Sequence, residues 1–108
     1  MINVNDFIEH KARQLTFYVK AFLSRQIGYS EIKLYLWDTL EEWSQVNIKL
    51  KEPYTTKERV FWHLLHQLSF WSENTLLSDQ YLQSELSTCI DYLEGEGQYP
   101  LDCVGIRP

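Results

Sequence analysis

In residues 5–27, Ile8, Ala12, Leu15, Val19 and Phe22 recur at spacings of 4, 3, 4 and 3. That spacing draws one apolar stripe along an α-helix; a half-buried strand would alternate every second residue instead. Asp6 with Glu9 three residues later reads as a capping arrangement, and Gly28 reads as the stop. Glu9 and Arg13 stand four apart in the favourable order, adding about 0.3 kcal/mol to such a helix.

The helical period returns three more times. Ser30 is placed to cap a second helix, with Glu31 in its first turn and Tyr29 and Leu34 spaced for a hydrophobic staple. Its inward stripe is Leu36, Leu40, Trp43 and Val46, widened by Ile32, Tyr35 and Trp37. The alternation over 47–51 breaks the pattern and predicts a short extended piece or a loop, and Pro53 opposes continuation of the helix. Thr55 with Glu58 three residues on marks the start of a third helix, whose stripe is Phe61, Leu64, Leu68 and Trp71 with Val60 and Leu65 alongside. This helix should end between residues 74 and 77. A fourth starts at Ser78, with Leu77 and Leu82 as a second staple, and carries Leu82, Leu86, Cys89 and Leu93 inward. Gly95 and Gly97 finish it.

Four amphipathic helices of about 16–20 residues joined by short connections predict an all-α fold, a small antiparallel up-and-down four-helix bundle. Residues 1–97 form the bundle domain and residues 98–108 an irregular C-terminal tail, expected to pack on it. With 108 residues and 44% hydrophobic content there is material for one domain and one core, not for a two-domain enzyme. Neither a basic leader followed by an apolar run nor a stretch near the roughly 20 apolar residues of a membrane span is visible. Two cysteines 14 residues apart are weak ground for a disulfide framework, so the expectation is a cytoplasmic protein with two free thiols and no membrane partner.

Charge is unevenly spread. Residues 1–51 hold seven basic and six acidic groups, and residues 52–108 hold three basic and nine acidic groups. No lysine or arginine lies between Arg59 and Arg107. Phosphate backbones are held by clustered lysine and arginine, so the C-terminal half predicts no nucleic-acid partner. The first helix offers Lys11, Arg13, Lys20 and Arg25, diluted by Asp6 and Glu9.

Few residues suggest chemistry. His63 and His66 are three apart, a spacing that lets two imidazoles face one metal. Yet residue 64 is Leu, not the Glu of a zincin, and the Glu-x-x-His pairs of a di-iron bundle are missing. Glu58, Glu73 and His10 are conceivable extra ligands. Cys89 falls on an inward stripe and reads as a small core residue; Cys103 is expected to be exposed in the tail. Glu41 and Glu42 are adjacent on a helix and diverge. Phosphate-cradling loops and nucleophile elbows are absent, so the expectation is a non-enzyme without a cofactor.

Aromatic residues make up 15% of the chain. On the third helix, Trp62, His63, His66 and Phe70 form a second set at helical spacing, offset from the inward stripe. Such a set reads either as a thick aromatic core or as a surface for a protein partner. The functional expectation is a non-catalytic interaction or regulatory module that binds a protein, or itself as a homodimer, through Trp62, His63, His66 and Phe70. Histidines in that face would make binding respond between pH 5 and 7. The alternative is a bundle that binds a metal or small ligand through His63 and His66.

Overall fold

A computed structural model describes residues 3–46, 53–100, 103 and 105–108. The chain folds into helices α1 (Val4–Leu23), α2 (Tyr29–Trp43), α3 (Thr56–Phe70), α4 (Glu73–Ser78) and α5 (Gln80–Leu93), with no strand among the described residues. The four long helices form the antiparallel up-and-down bundle, and α4 is a short insert between α3 and α5. The expected alternation over 47–51 lies outside the described residues.

Direction is fixed by contacts at the helix ends. Tyr29, at the head of α2, donates to the Leu68 carbonyl near the end of α3 (2.9 Å), while Trp43 at the foot of α2 packs edge-on against Trp62 in the first half of α3 (4.8 Å between ring centres). Tyr92, at the end of α5, donates to Thr56 at the start of α3 (2.7 Å). α2 and α5 therefore both run antiparallel to α3. α3 touches α1, α2 and α5, and α2 touches α1 and α3.

The stripes on α1 and α5 are inward as the periodicity predicts. Ile8, Ala12, Leu15, Val19 and Phe22 are buried, as are Leu82, Leu86, Cys89, Ile90 and Leu93. Each such large aliphatic side chain contributes about 1.5–3 kcal/mol by leaving water. α2 is rotated from the expected setting. Its buried residues are Ile32, Tyr35, Leu36, Thr39 and Trp43, whereas Leu40 is 37% exposed. Tyr35 explains the rotation: its hydroxyl donates to the Lys11 carbonyl (2.9 Å) and its ring stacks on Tyr18, drawing that flank of α2 onto α1.

Several helix ends differ from the sequence reading. α1 begins three residues earlier, with Asn3 rather than Asp6 as the cap; the Asp6 amide donates to Asn3 Oδ1 (2.8 Å). Asn is as good an acceptor there as Asp. Gly28 does not stop α1 but precedes the first residue of α2, so Ser30 is inside the helix, and Leu34 is 62% exposed and staples nothing. Thr55 caps α3 as expected, accepting from the Glu58 amide (3.0 Å). α3 nevertheless ends at Phe70, not between 74 and 77. Trp71 turns to extended backbone, and Ser72 starts α4 by accepting from the Thr75 amide (3.2 Å). Trp71 is thereby taken off the stripe. Asp79, not Ser78, caps α5 through the Leu82 amide (2.9 Å), which dissolves the second staple.

α1 and α5 stop by the same device. In each, two amides close back on the final turn: Gln26 to the Ala21 carbonyl and Arg25 to Phe22, then Glu96 to Asp91 and Gly95 to Tyr92. This Schellman closure needs a left-handed residue. α5 uses Gly95 (φ 86°), but α1 uses Arg25 (φ 64°). A side chain in that region costs about 1–2 kcal/mol, offset partly by the greater freedom of unfolded glycine. Arg25→Gly is therefore expected to stabilise the chain by about 0.5–1 kcal/mol, read as a higher urea midpoint at unchanged slope.

Candidate functional site

The four residues expected to share an exposed face do not. Trp62 is 0% and His63 6% exposed, while His66 is exposed and Phe70 is 75% exposed. Trp62 belongs to the core: its indole lies between Phe7, Trp43 and Phe61, and its Nε1 donates to Glu58 Oε2 (3.0 Å). His63 turns to α5, where its Nε2 meets Glu85 Oε1 at 2.8 Å. The physical reason is the central place of α3. A helix with three neighbours buries a broad arc, so a set offset from the main stripe is a second buried side.

Exposed large hydrophobic side chains stand on several helices, among them Phe17 on α1, Leu34, Trp37 and Leu40 on α2, Phe70 on α3 and Tyr81 on α5, and those of α2 and α3 can be traced from the core outward. The buried Trp43–Trp62 pair is the origin of two columns. Along α2, steps of three residues lead from Trp43 to Leu40 and Trp37, and exposure rises from 6% to 37% to 65%. Along α3, steps of four lead from Trp62 to His66 and Phe70, rising from 0% to 75% at Phe70. Because the two helices are antiparallel, both columns climb toward the same end of the bundle. The opposite flank of α2 is held to α1 by Tyr35 and by the Lys11–Glu42 ion pair, so the Leu40–Trp37 flank is the one on the α3 side. Tyr29 ties that end of the seam to α3 through the Leu68 carbonyl. Around α2, Glu31 and Asp38 fall on the flank of Glu42, away from the seam, whereas the exposed Lys33 shares the flank of Leu40 and Tyr29 and sits 5.9 Å from the Tyr29 ring centre. The sequence reading puts Leu40 on the inward stripe and Trp37 among the residues that widen it; the rotation of α2 leaves both at the surface.

A second cluster escaped sequence reasoning altogether. Glu58 is 1% exposed, and its carboxylate does not turn back to the helix cap. It receives the Trp62 indole and both ends of the Arg107 guanidinium, Nε at 2.5 Å and Nη2 at 2.8 Å. The Arg107 guanidinium also sits 4.2 Å from the Tyr54 ring centre, and the Arg107 amide donates to the Tyr54 hydroxyl (2.9 Å). Two residues earlier, Gly105 crosses the Arg59 backbone so closely that a Cβ would lie 1.8 Å from the Arg59 oxygen. The described part of the tail is thus packed on the start of α3. Ile106 between them is 59% exposed, and Leu101 and Val104 lie outside the described residues. Nothing in the linear order of Glu58 and Arg107, 49 residues apart, announces the pair.

The thiols are quiet. Cys89 and Cys103 are free. Burial, aided by the neighbouring Cys103, pushes the Cys89 thiol up to about 12. Cys103 is half-buried rather than exposed as expected; its Sγ reaches the Arg59 carbonyl at 3.5 Å and burial again raises its pKa. Neither environment favours a reactive thiolate.

His63 and His66 do not build a metal centre with other donors: no group of three or more His, Cys, Asp and Glu converges among the described residues. Glu58, once conceivable as a ligand, is taken by Arg107 and Trp62. A groove of about 580 Å³ between α1 and the end of α5 is edged by Glu9, Arg13, Lys20, Lys57 and Glu94. Its charges are paired across it, Lys57 with Glu9 at 2.9 Å and Lys20 with Glu94 at 2.6 Å. No helix among the described residues is long and apolar enough to cross a membrane. In comparisons with known proteins, no family model, no curated protein and no solved structure matches the chain.

Proposed function

We propose that this protein is a non-catalytic interaction module whose partner docks across the α2–α3 seam on Trp37, Leu40, His66 and Phe70. The observation that carries the reading is the exposure of Trp37 on α2 and Phe70 on α3, 65% and 75%, on residues that helical steps lead to from the buried Trp43–Trp62 contact. Aromatic side chains there are costly to leave in water, and a partner that covers them gains most of its affinity from few residues.

The partner is another protein or a second copy of this chain. Nucleic acid is disfavoured by the pairing of Lys11 with Glu42 and Lys20 with Glu94, which removes two of the four cations that α1 would offer to phosphates. The reading carries a cytoplasmic location with it as part of the proposal.

The test is the double variant Trp37→Ala/Phe70→Ala. Its far-UV circular dichroism should match the parent chain, with stability changed by no more than about 0.5 kcal/mol per site, because the truncated atoms are in water. Co-purification from the native host and sizing of the pure chain should both lose whatever complex the parent forms. A complex retained at parental strength in the double variant would remove the seam as its site.

A further inference from the structure

We propose that Tyr54, Glu58, Trp62 and the Arg59 backbone form a second binding site, distinct from the seam. Its ligand class is an extended peptide bearing an arginine with a glycine two residues before it. Residues 105–108 of the chain fill this site in cis.

The site is built as a recognition site would be. Glu58 is fully enclosed at the first turn of α3, and its carboxylate is engaged by Trp62 and Arg107. An enclosed carboxylate is costly unless it is met by a cation with matching geometry, and a guanidinium offers two parallel N–H groups where an ammonium offers a point charge. The Trp62 indole holds Oε2 from the other side at 3.0 Å and so fixes the orientation of the fork. The Tyr54 ring supplies a face for the guanidinium at 4.2 Å, and its hydroxyl accepts the amide of the same residue at 2.9 Å. Side chain and backbone of the arginine are therefore both read.

The position two residues earlier is read by exclusion. The Arg59 carbonyl passes so close to Gly105 that only glycine fits. The residue between them is not read, as the 59% exposure of Ile106 shows. Glycine, any residue, arginine is thus what the surface selects, and the covalent link of the tail supplies only local concentration. Effective concentrations of tethered segments reach the order of millimolar, so a segment offered in trans should compete once the tail is unseated.

The test uses two full-length variants that weaken the tail without touching the site, Gly105→Val and Arg107→Ala. Each is titrated with a fluorescent peptide of residues 98–108, and with the same peptide carrying Arg107→Ala. The expected result is saturable binding of the first peptide to both variants at sub-millimolar concentration. The Arg107→Ala peptide should bind at least tenfold more weakly, and the parent chain should bind the first peptide at least tenfold more weakly than the variants do. Equal binding of the two peptides would overturn the proposal, as would parental melting temperatures in both variants, which would mean an unseated tail changes nothing. Loss of helical signal in both variants would also overturn it, by making the tail an inseparable part of the fold. If only Gly105→Val fails to fold, the Arg107→Ala chain decides alone.

Discussion

Trp62→Ala is expected to cost about 3–5 kcal/mol, enough to lower the urea midpoint severely, whereas Phe70→Ala eight residues later should change stability by no more than about 0.5 kcal/mol. The sequence places both residues in one set, so the contrast separates a core role from a surface role directly. Trp62 fills space between Phe7, Trp43 and Phe61, and the surrounding helices cannot collapse into the void without moving three rings. Its removal also takes one of the hydrogen bonds from the enclosed Glu58 carboxylate. Phe70, at 75% exposure, leaves no void when truncated. Equilibrium denaturation of the two single variants checks the pair. Equal losses at both sites would contradict the placement of Trp62 inside and Phe70 outside.

Arg107→Ala is expected to cost about 3 kcal/mol, because the truncation strands a 1% exposed carboxylate, and an uncompensated buried charge is what makes broken buried pairs expensive. The companion variant carries the argument: Glu58→Gln in the Arg107→Ala background removes the stranded charge and should restore part of the loss, giving a non-additive double-mutant cycle. Arg107→Lys should fall between, since a lysine keeps the charge but cannot span both carboxylate oxygens. Additive losses in the cycle would show that the two side chains do not depend on each other.

Much of the architecture was legible as periodicity. The stripes of α1 and α5 were correct residue by residue because each of those helices turns one ordinary apolar arc to its neighbours. The cap at Thr55 was legible because a hydroxyl three residues before an acidic residue is a local arrangement that needs nothing else from the fold. The other caps were misplaced by one to three residues because Asn3, Gly28 and Asp79 are as chemically suitable as the residues chosen, and only the neighbouring turns decide between them. The break at Trp71 was hidden for a similar reason: helical spacing continues through it, while Ser72 starts a new helix.

The amino-acid order by itself determined that the chain is all-α, which residues share a helix face, and that the C-terminal half is acidic. Those properties follow from a 3.6-residue repeat and from counting charges, and both are local. Only the tertiary structure decided which faces are covered. α3 lies among three helices and buries Trp62 and His63 along with its main stripe, while α2, drawn onto α1 through Tyr35, leaves Trp37 and Leu40 in water. It also decided that Glu58 meets Arg107, because a pair 49 residues apart is made by the path of the chain through space, and no repeat along the sequence encodes that path.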